Sequence, residues 1–263
     1  MSEQIANNDK HPANRDSKLY IAWTFFRTQI YIILWFLPYN VFSCSLIILF
    51  GRLIPKKHRV AVITKAWALP LIWGARIIVG LKHEIKGLQN IPESGVIVCN
   101  HQSTWEALYM LVLFCPHVSV LKKSLLKVPF YGWAMRVINP IAIDRSSPRK
   151  AARQVLDEGT ERLNSGDEPF LLIYPEGTRN KPGKLGKFNR SAATLAIQAQ
   201  KPLIPVAQNS GVYWQKMKHV IFPGTVKIEI LPAIDCSDKT AYDIMEQAKE
   251  SIETSLNSMP LSR

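Results

Sequence analysis

The chain has 263 residues, of which 47% are apolar, and it carries a formal net charge of +13. This length is sufficient for one or two domains with a buried core, and the apolar content excludes an intrinsically disordered chain. Its four cysteines are scattered without a C-x-x-C pair, which argues against a disulfide scaffold or a zinc ribbon and fits reduced thiols in the cytosol. The positive charge calls for an anionic partner: a nucleic acid, a membrane surface or a phosphorylated substrate.

The N-terminal part of the chain is predicted to bind a membrane. Residues 1–18 are polar and are expected to form a mobile tail. Residues 28–51 carry no charge, and as a helix they would extend about 36 Å, enough to cross a hydrocarbon core of about 30 Å. This run is too long for a cleaved signal peptide. Pro38, near its middle, is predicted to kink the helix or to turn it back within one leaflet.

A second apolar stretch, residues 60–81, contains Lys65 and Arg76, which lie three helical turns apart and therefore share one face. This pattern is typical of a helix in the membrane interface, whose basic side chains reach the headgroups. Because basic residues flank the first run almost equally on both sides, a hairpin or re-entrant anchor is favoured over a single span. We therefore predict a membrane-associated helical segment at residues 19–81. The alternative is that both stretches are core helices of a large soluble domain.

From residue 82 onward, short apolar runs alternate with helical segments. This alternation predicts an α/β domain at residues 82–263, with a mostly parallel mixed sheet flanked by helices. The predicted strands are residues 95–100, 117–122, 140–145, 169–175, 202–208 and 225–232. The predicted helices are residues 148–163, 191–200 and 240–256.

Several classes of chemistry are absent from the sequence. There is no G-x-S-x-G, Walker A, G-x-G-x-x-G or H-E-x-x-H pattern, and the six histidines lack metal-ligand spacing, so no metal site is expected. The basic residues are not interleaved with aromatic residues as in nucleic-acid-binding modules, so we expect no nucleic-acid partner.

The first polar segment that follows a predicted strand is residues 100–106. His101 falls in the strand–helix turn, and Glu106 in the first helical turn can reach back to it. A carboxylate on one imidazole nitrogen fixes the tautomer and leaves the other nitrogen as a base. With no serine or cysteine nucleophile evident, this base would act directly on a substrate hydroxyl. The alternative is that Ser103 and Glu106 form only a capping box.

The second polar segment is residues 174–179. In it, Gly177 lets backbone amides approach a ligand, Thr178 offers a hydroxyl, and Arg179 offers a fork that matches phosphate. Taken alone, this segment is better explained as an ordinary surface turn. Asp144 and Arg145, which end another predicted strand, are likewise consistent with an exposed ion pair.

These segments resemble, in order, the four motifs of the glycerolipid acyltransferase family. Residues 100–106 resemble its H-x4-D/E motif, with Glu106 in place of the commoner Asp. Residues 174–179 are similar to its F-P-E-G-T-R motif, with Tyr for Phe, and residues 143–145 and 204–206 resemble the remaining two motifs. Lys123, Pro129 and Gly132 also stand where that family carries a Lys and a Pro-x-x-Gly, and the resemblance covers roughly residues 80–215.

The resemblance implies that His101 is the general base and that Glu106 orients it. The implied reaction moves a fatty acyl chain from a thioester to the sn-2 hydroxyl of 1-acyl-glycerol-3-phosphate (lysophosphatidic acid), giving phosphatidic acid without a covalent enzyme intermediate. Acyl-CoA or acyl carrier protein would be the co-substrate, and no metal or other cofactor is required. The expected acceptor-binding residues are Arg145 and Arg179, chosen for their chemistry, and Glu176, Gly177 and Thr178, added by the resemblance.

The combined prediction is an enzyme at the inner (cytoplasmic) membrane, bound to phospholipid, with its catalytic domain facing the cytoplasm, where thioesters are made. Two alternatives stay open. One is an acyltransferase for another lyso-lipid acceptor, and the other is a membrane-anchored anion-binding protein without catalysis.

Overall fold

Seven strands form one mixed sheet flanked by helices, in agreement with the predicted fold class. The computed structural model describes residues 17–144, 146–215 and 220–262. The strand order is β1-β7-β6-β2-β5-β3-β4, and every neighbouring pair is parallel except the antiparallel pair β6–β7. The strands are β1 (Leu81–Lys86), β2 (Gly95–Cys99), β3 (His117–Lys122), β4 (Ile141–Ile143), β5 (Phe170–Ile173), β6 (Leu203–Gln208) and β7 (Gly224–Ile230).

The helices cover both faces of this sheet. One face packs against an N-terminal helical hairpin and α4, and the other packs against α6, α7 and α8. The helices are α1 (Lys18–Gln29), α2 (Leu37–Phe50), α3 (Lys56–Gly74), α4 (Trp105–Leu113), α5 (Tyr131–Met135), α6 (Pro148–Ser165), α7 (Ser191–Ala199) and α8 (Ala241–Asn257).

The central strands read as continuous apolar runs because both of their faces are covered. β2 and β6 are buried along their whole length. At one edge of the sheet, β1 alternates buried and more exposed residues. The sequence analysis missed β1, since its first residue closes the second apolar stretch and its remaining residues are mostly polar. The other six strands lie where the sequence predicts them: β3 has the predicted bounds, and the other five are shorter than predicted by one to three residues.

The N-terminal segment is a hairpin of two helical runs, Lys18–Leu53 and Lys56–Val79. Both runs are long and apolar enough to cross a membrane, and in their most apolar windows 17% of the first run and 50% of the second is buried. Side chains of the first run bond the backbone of the second, as in Arg27 Nε to Ile78 O at 2.7 Å and Tyr39 OH to Ala66 O at 2.6 Å. The first run therefore forms the outer layer of the molecule.

Pro38 does not turn the chain back, which corrects that part of the prediction. The helix accommodates it with a π-helical stretch, Ile30–Phe36, directly before it, in which the Leu37 N–H bonds the Ile32 carbonyl five residues earlier. The chain reverses instead at residues 54–55, between the two runs. The predicted polar tail, residues 1–18, falls almost entirely outside the described residues, and the predicted domain boundary between residues 81 and 82 stays a prediction.

Candidate active site

The two polar segments meet at one edge of the sheet. β2 and β5 are parallel neighbours, so the residues that follow Cys99 and Ile173 emerge side by side at their carboxyl ends. This edge is where open α/β sheets bind ligands. The backbone N–H of Asn180 donates to the carbonyl of His101 at 2.8 Å, which joins the two segments directly.

His101 and Glu106 form a short hydrogen-bonded pair. Nδ1 of the imidazole lies 2.6 Å from Oε1 of the carboxylate. The Glu106 side chain is fully buried at the start of α4, whereas the His101 side chain retains 19% exposure. Because the carboxylate occupies Nδ1, the Nε2 atom is left to exchange a proton with a substrate.

Glu106 also serves the capping role that the sequence analysis left as an alternative. Its carboxylate accepts from the backbone N–H groups of Gln102 at 3.0 Å and Ser103 at 2.7 and 2.9 Å. In return, the hydroxyl of Ser103 accepts from the N–H of Trp105 at 3.0 Å. The two interpretations therefore hold together, since one carboxylate starts the helix and contacts the imidazole.

The hydroxyls of Ser103 and Ser210 complete the surroundings of Glu106. Both donate to Oε2, Ser210 at 2.7 Å, and the two hydroxyl oxygens lie 2.7 Å apart. Burial raises the pKa of Glu106, but the hydrogen bonds from His101 and these hydroxyls outweigh it, so the net pKa lies below its usual range. The carboxylate is thus held ionised beside the imidazole, despite its burial.

The ring of Tyr174 stacks on the imidazole ring of His101. The ring centroids of His101 and Tyr174 are 4.2 Å apart, with an interplanar angle of 26°. Burial raises the pKa of Tyr174 well above its ordinary value, so its hydroxyl stays neutral. Stacking and the bond to Glu106 together fix the plane of the His101 ring.

Glu176, which the resemblance placed among the acceptor-binding residues, contacts the protein backbone. Its carboxylate accepts from the N–H of His101 at 2.8 Å and of Gly186 at 2.7 Å, and from the side-chain amide of Asn180. These contacts hold the His101 turn against the segment that follows β5. Glu176 therefore fixes the position of His101 through its backbone N–H.

The next two residues of the segment, Gly177 and Thr178, are exposed, and Arg179 is partly exposed. Gly177 has φ = 64°, a conformation that favours glycine, and open space lies where a Cβ would be. Thr178 is exposed beside it. Nη1 of Arg179 donates to Oγ1 of Thr104 at 3.0 Å, which places the guanidinium at the N-terminus of α4. Arg145, the remaining predicted phosphate ligand, lies outside the described residues.

Sequence reasoning missed Ser210 and Tyr174. In the sequence Tyr174 stands out only as a replacement for Phe, because its contact with His101 depends on the pairing of β2 with β5. Ser210 follows β6, so the rule that polar residues after a strand mark a site also points to it. Asn100 links the end of β2 to the end of β6, because its side-chain amide forms two 2.9 Å hydrogen bonds with the backbone of Gln208. Within the described ranges, no group of three or more His, Cys, Asp or Glu residues could hold a metal ion.

The chain is similar to known acyltransferases. The family model described as Acyltransferase matches residues 82–209. A Pseudomonas aeruginosa protein named 1-acyl-sn-glycerol-3-phosphate acyltransferase is 41% identical over 195 residues, covering 74% of this chain and 75% of that protein. The mouse (Mus musculus) protein named 1-acyl-sn-glycerol-3-phosphate acyltransferase alpha is 32% identical over 179 residues, covering 66% of this chain and 62% of that protein.

The fold is also found in a solved acyltransferase structure. It is the crystal structure of the 1-acyl-sn-glycerophosphate (LPA) acyltransferase from Thermotoga maritima, with a TM-score of 0.66. The match covers 91% of this chain and 94% of the other, at 20% sequence identity. It extends to the N-terminal helices as well as the sheet, because so much of both chains is superimposed.

Proposed function

The chain belongs to the acyltransferase family, and from this membership we propose that it acylates the sn-2 hydroxyl of 1-acyl-glycerol-3-phosphate, giving phosphatidic acid. The acyl donor is a thioester, acyl-CoA or acyl carrier protein, and enters as a co-substrate without any other cofactor. The observation that carries the proposal is the His101–Glu106 pair, with Nδ1 and Oε1 2.6 Å apart at the ligand-binding edge of the sheet.

In this proposal, Nε2 of His101 removes the proton of the acceptor hydroxyl as its oxygen attacks the thioester carbonyl. The new ester C–O bond forms, the C–S bond breaks, and the proton held on Nε2 passes to the departing sulfur. Glu106 stabilises the imidazolium in between, since its lowered pKa keeps it ionised. General-base catalysis of this kind contributes about 10²–10⁴-fold.

The oxyanion of the tetrahedral intermediate needs donors other than the turn that carries the base. The backbone N–H of His101 is bonded to Glu176, and those of Gln102 and Ser103 are bonded to Glu106. The N–H of Gly177 is bonded to the carbonyl of Tyr174 at 3.0 Å. We therefore propose that the oxyanion is stabilised by donors other than these four backbone N–H groups.

Arg179 is the proposed clamp for the acceptor phosphate. Its guanidinium lies at the N-terminus of α4, where the helix dipole adds to its positive charge, and its planar fork matches a phosphate. Thr178 and Gly177 are exposed beside it and offer a hydroxyl and a close backbone approach. Arg145 is proposed as a second cation on the same phosphate.

An apolar cavity of about 650 Å³ is proposed to hold an acyl chain. It lies between α6, α7 and the sheet, and it reaches the catalytic edge at Tyr174 and Gly177. Its volume is within the roughly 300–1,000 Å³ typical of ligand pockets. Its apolar wall includes Val120, Ile143, Ala152, Val155, Leu156, Leu172 and Ile173.

The helical hairpin is proposed to attach the enzyme to the cytoplasmic leaflet of the inner membrane. Eighteen large apolar side chains of the hairpin are exposed. An exposed apolar surface of this extent is typical of a membrane-binding or protein-binding site. Lys65 and Arg76 are both exposed on α3 and its extension, where they can reach the headgroups. Lysophosphatidic acid resides in the same bilayer, so this attachment brings enzyme and acceptor together.

Release of free thiol by the purified full-length protein tests the proposal. We expect acyl-CoA consumption that depends on lysophosphatidic acid and disappears in His101→Ala, measured in detergent micelles. Acceptors with choline or ethanolamine headgroups, supplied in parallel, are expected to be poor substrates because they lack a terminal phosphate. Faster turnover with one of them would assign another lyso-lipid acceptor. Binding of lysophosphatidic acid without thiol release from acyl-CoA or acyl carrier protein would identify a non-catalytic anion-binding protein.

A further inference from the structure

Exposed apolar side chains are concentrated at one place outside the hairpin. Four of them lie within the nine residues 125–133, three between β3 and α5 and one in α5, with exposures of 39–46%. Elsewhere in the described part of the chain, after the hairpin, such residues are scattered singly. The four are Leu125, Val128, Phe130 and Trp133, and the scattered ones are Leu88, Ile197, Tyr242 and Leu261.

Basic residues surround these four side chains. Lys122, Lys123, Lys127 and Arg136 are all exposed. No Asp or Glu occurs in the sequence between Glu106 and Asp144. The exposed Asp144, after β4, lies near Lys122 and Lys123, so the four basic residues and this one acid leave a net positive surface. Apolar side chains ringed by lysines are typical of surfaces that insert into an anionic lipid interface.

The segment 122–136, here called the β3–α5 loop, is folded tightly. A Cβ on Gly132 would come within 2.5 Å of the backbone of Leu126, and the N–H of Gly132 donates to the carbonyl of Val128 at 2.8 Å. Phe130 has φ = 57°, which is rare for a residue with a side chain. These contacts fix the backbone of the loop. The apolar side chains are therefore exposed because of the folded conformation of the loop.

The loop adjoins both the hairpin and the catalytic edge. α5 packs against α2, and the ring of Tyr131 lies 5.7 Å from that of Trp67 in α3. β3 runs parallel to β5, so the loop leaves the sheet at the same carboxyl edge that carries His101. A flat surface that touches the loop therefore also lies close to the catalytic edge.

We propose that the β3–α5 loop is a second membrane contact, which inserts Val128, Phe130 and Trp133 into the headgroup region of an anionic phospholipid bilayer. Lys122, Lys123 and Lys127 pair with lipid phosphates around them. The hairpin and the loop together set the orientation of the catalytic domain, because two separated contacts prevent it from pivoting. This inference rests on the proposed function only in taking the hairpin as the first contact.

Fluorescence of a probe on the loop tests this proposal in the full-length protein. Val128→Cys, made with Cys115→Ser, carries an environment-sensitive fluorophore; the other three cysteines are buried. Ile197→Cys in the same background is the matched control, because Ile197 is similarly exposed but lies on α7, on the other face of the sheet. The protein is placed in vesicles of phosphatidylethanolamine and phosphatidylglycerol with nitroxide-labelled lipid.

We expect the probe at residue 128 to shift to the blue and to be quenched several-fold more strongly by the nitroxide lipid than the probe at residue 197. Substituting the three lysines with Gln should reduce this difference. Equal quenching of both probes by aqueous iodide, with no effect of the nitroxide lipid, would overturn the proposal. Shielding of the residue 128 probe by acyl carrier protein but not by vesicles would also overturn it and would assign the loop to a protein partner.

This readout requires no turnover, so a failure of the proposed reaction would leave it unchanged. Activity provides the complementary measurement. Phe130→Ser combined with Trp133→Ser should lower kcat/KM several-fold for lysophosphatidic acid in anionic vesicles and leave kcat/KM in detergent micelles unchanged. An equal loss in micelles would show that the pair supports the fold or the chemistry, and would contradict a role in membrane contact.

Discussion

Ser210 donates a 2.7 Å hydrogen bond from Oγ to Oε2 of Glu106, although 104 residues separate them in the chain. The bond joins the end of β6 to the start of α4. Together with Ser103 and His101, it surrounds a fully buried carboxylate with donors on both oxygens. The acid of the pair is thus held by two separate parts of the fold, the turn after β2 and the end of β6, and each can be tested separately.

Ser210→Ala should raise the pKa of Glu106, because one of the hydrogen bonds that lowers it is lost. The acidic limb of the plot of kcat/KM against pH should then shift to higher pH, and stability should fall by about 1–3 kcal/mol because a buried acceptor loses a donor. Ser237→Ala, at an exposed serine, is the control. Superimposable pH profiles for the Ser210 variant and the wild type would show that Ser210 does not tune Glu106.

Glu106→Gln should lower kcat by about 10²–10⁴-fold, since an amide cannot stabilise an imidazolium through charge. The substitution should also destabilise the protein, because both carboxylate oxygens of Glu106 accept hydrogen bonds. In Gln an NH₂ group replaces one of these oxygens, and it cannot accept a hydrogen bond from the donors there. Kinetics and thermal unfolding of the purified variant measure the two effects. Wild-type turnover would reduce Glu106 to a helix cap.

Much of this arrangement could be predicted from the sequence. The strand–helix alternation and the polar residues after β2 and β5 are local patterns, and they place His101 and Glu106 together. The roles of Ser210, Tyr174 and the Glu176 carboxylate depend on which strands are neighbours, and no local pattern specifies that order. The predicted reversal at Pro38 was wrong because a π-helical stretch before the proline lets the helix continue through it.

Arg179→Ala should raise the KM for lysophosphatidic acid with a smaller effect on kcat, if the phosphate is bound equally throughout the reaction. Arg179→Lys should restore only part of the loss, because an ammonium group cannot reproduce the planar fork. Thr104→Val removes the acceptor of the 3.0 Å bond from Nη1 and should have a smaller effect in the same direction. An unchanged acceptor KM in Arg179→Ala would place the phosphate elsewhere.

His117 should make the fold sensitive to mild acid. It is buried, with Nε2 2.8 Å from Oγ of Ser119, and burial together with the nearby charge of Arg162 lowers its pKa to about 4. Between pH 6.5 and about 4 the unfolded chain binds a proton that the native state does not, so stability falls as the pH is lowered through this range.

Chemical denaturation in detergent at pH 6.5 and pH 5 measures this loss, whose slope is at most about 1.4 kcal/mol per pH unit for one proton. His117→Gln should be less sensitive to this pH change, whereas His58→Gln, at an exposed histidine, should respond as the wild type does. Equal pH dependence in the wild type and His117→Gln would exclude His117 as the source.

The central claim is that His101 is the general base of acyl transfer, and thiol release by His101→Ala tests it most directly. The variant should still fold and bind vesicles, because His101 lies in a turn and retains 19% side-chain exposure. Its stability should fall as in Ser210→Ala, since the buried Glu106 again loses a donor. With saturating acyl-CoA and lysophosphatidic acid, we predict a loss in kcat of about 10²–10⁴-fold. Retention of more than about a tenth of wild-type kcat by the folded, membrane-bound variant would contradict the account.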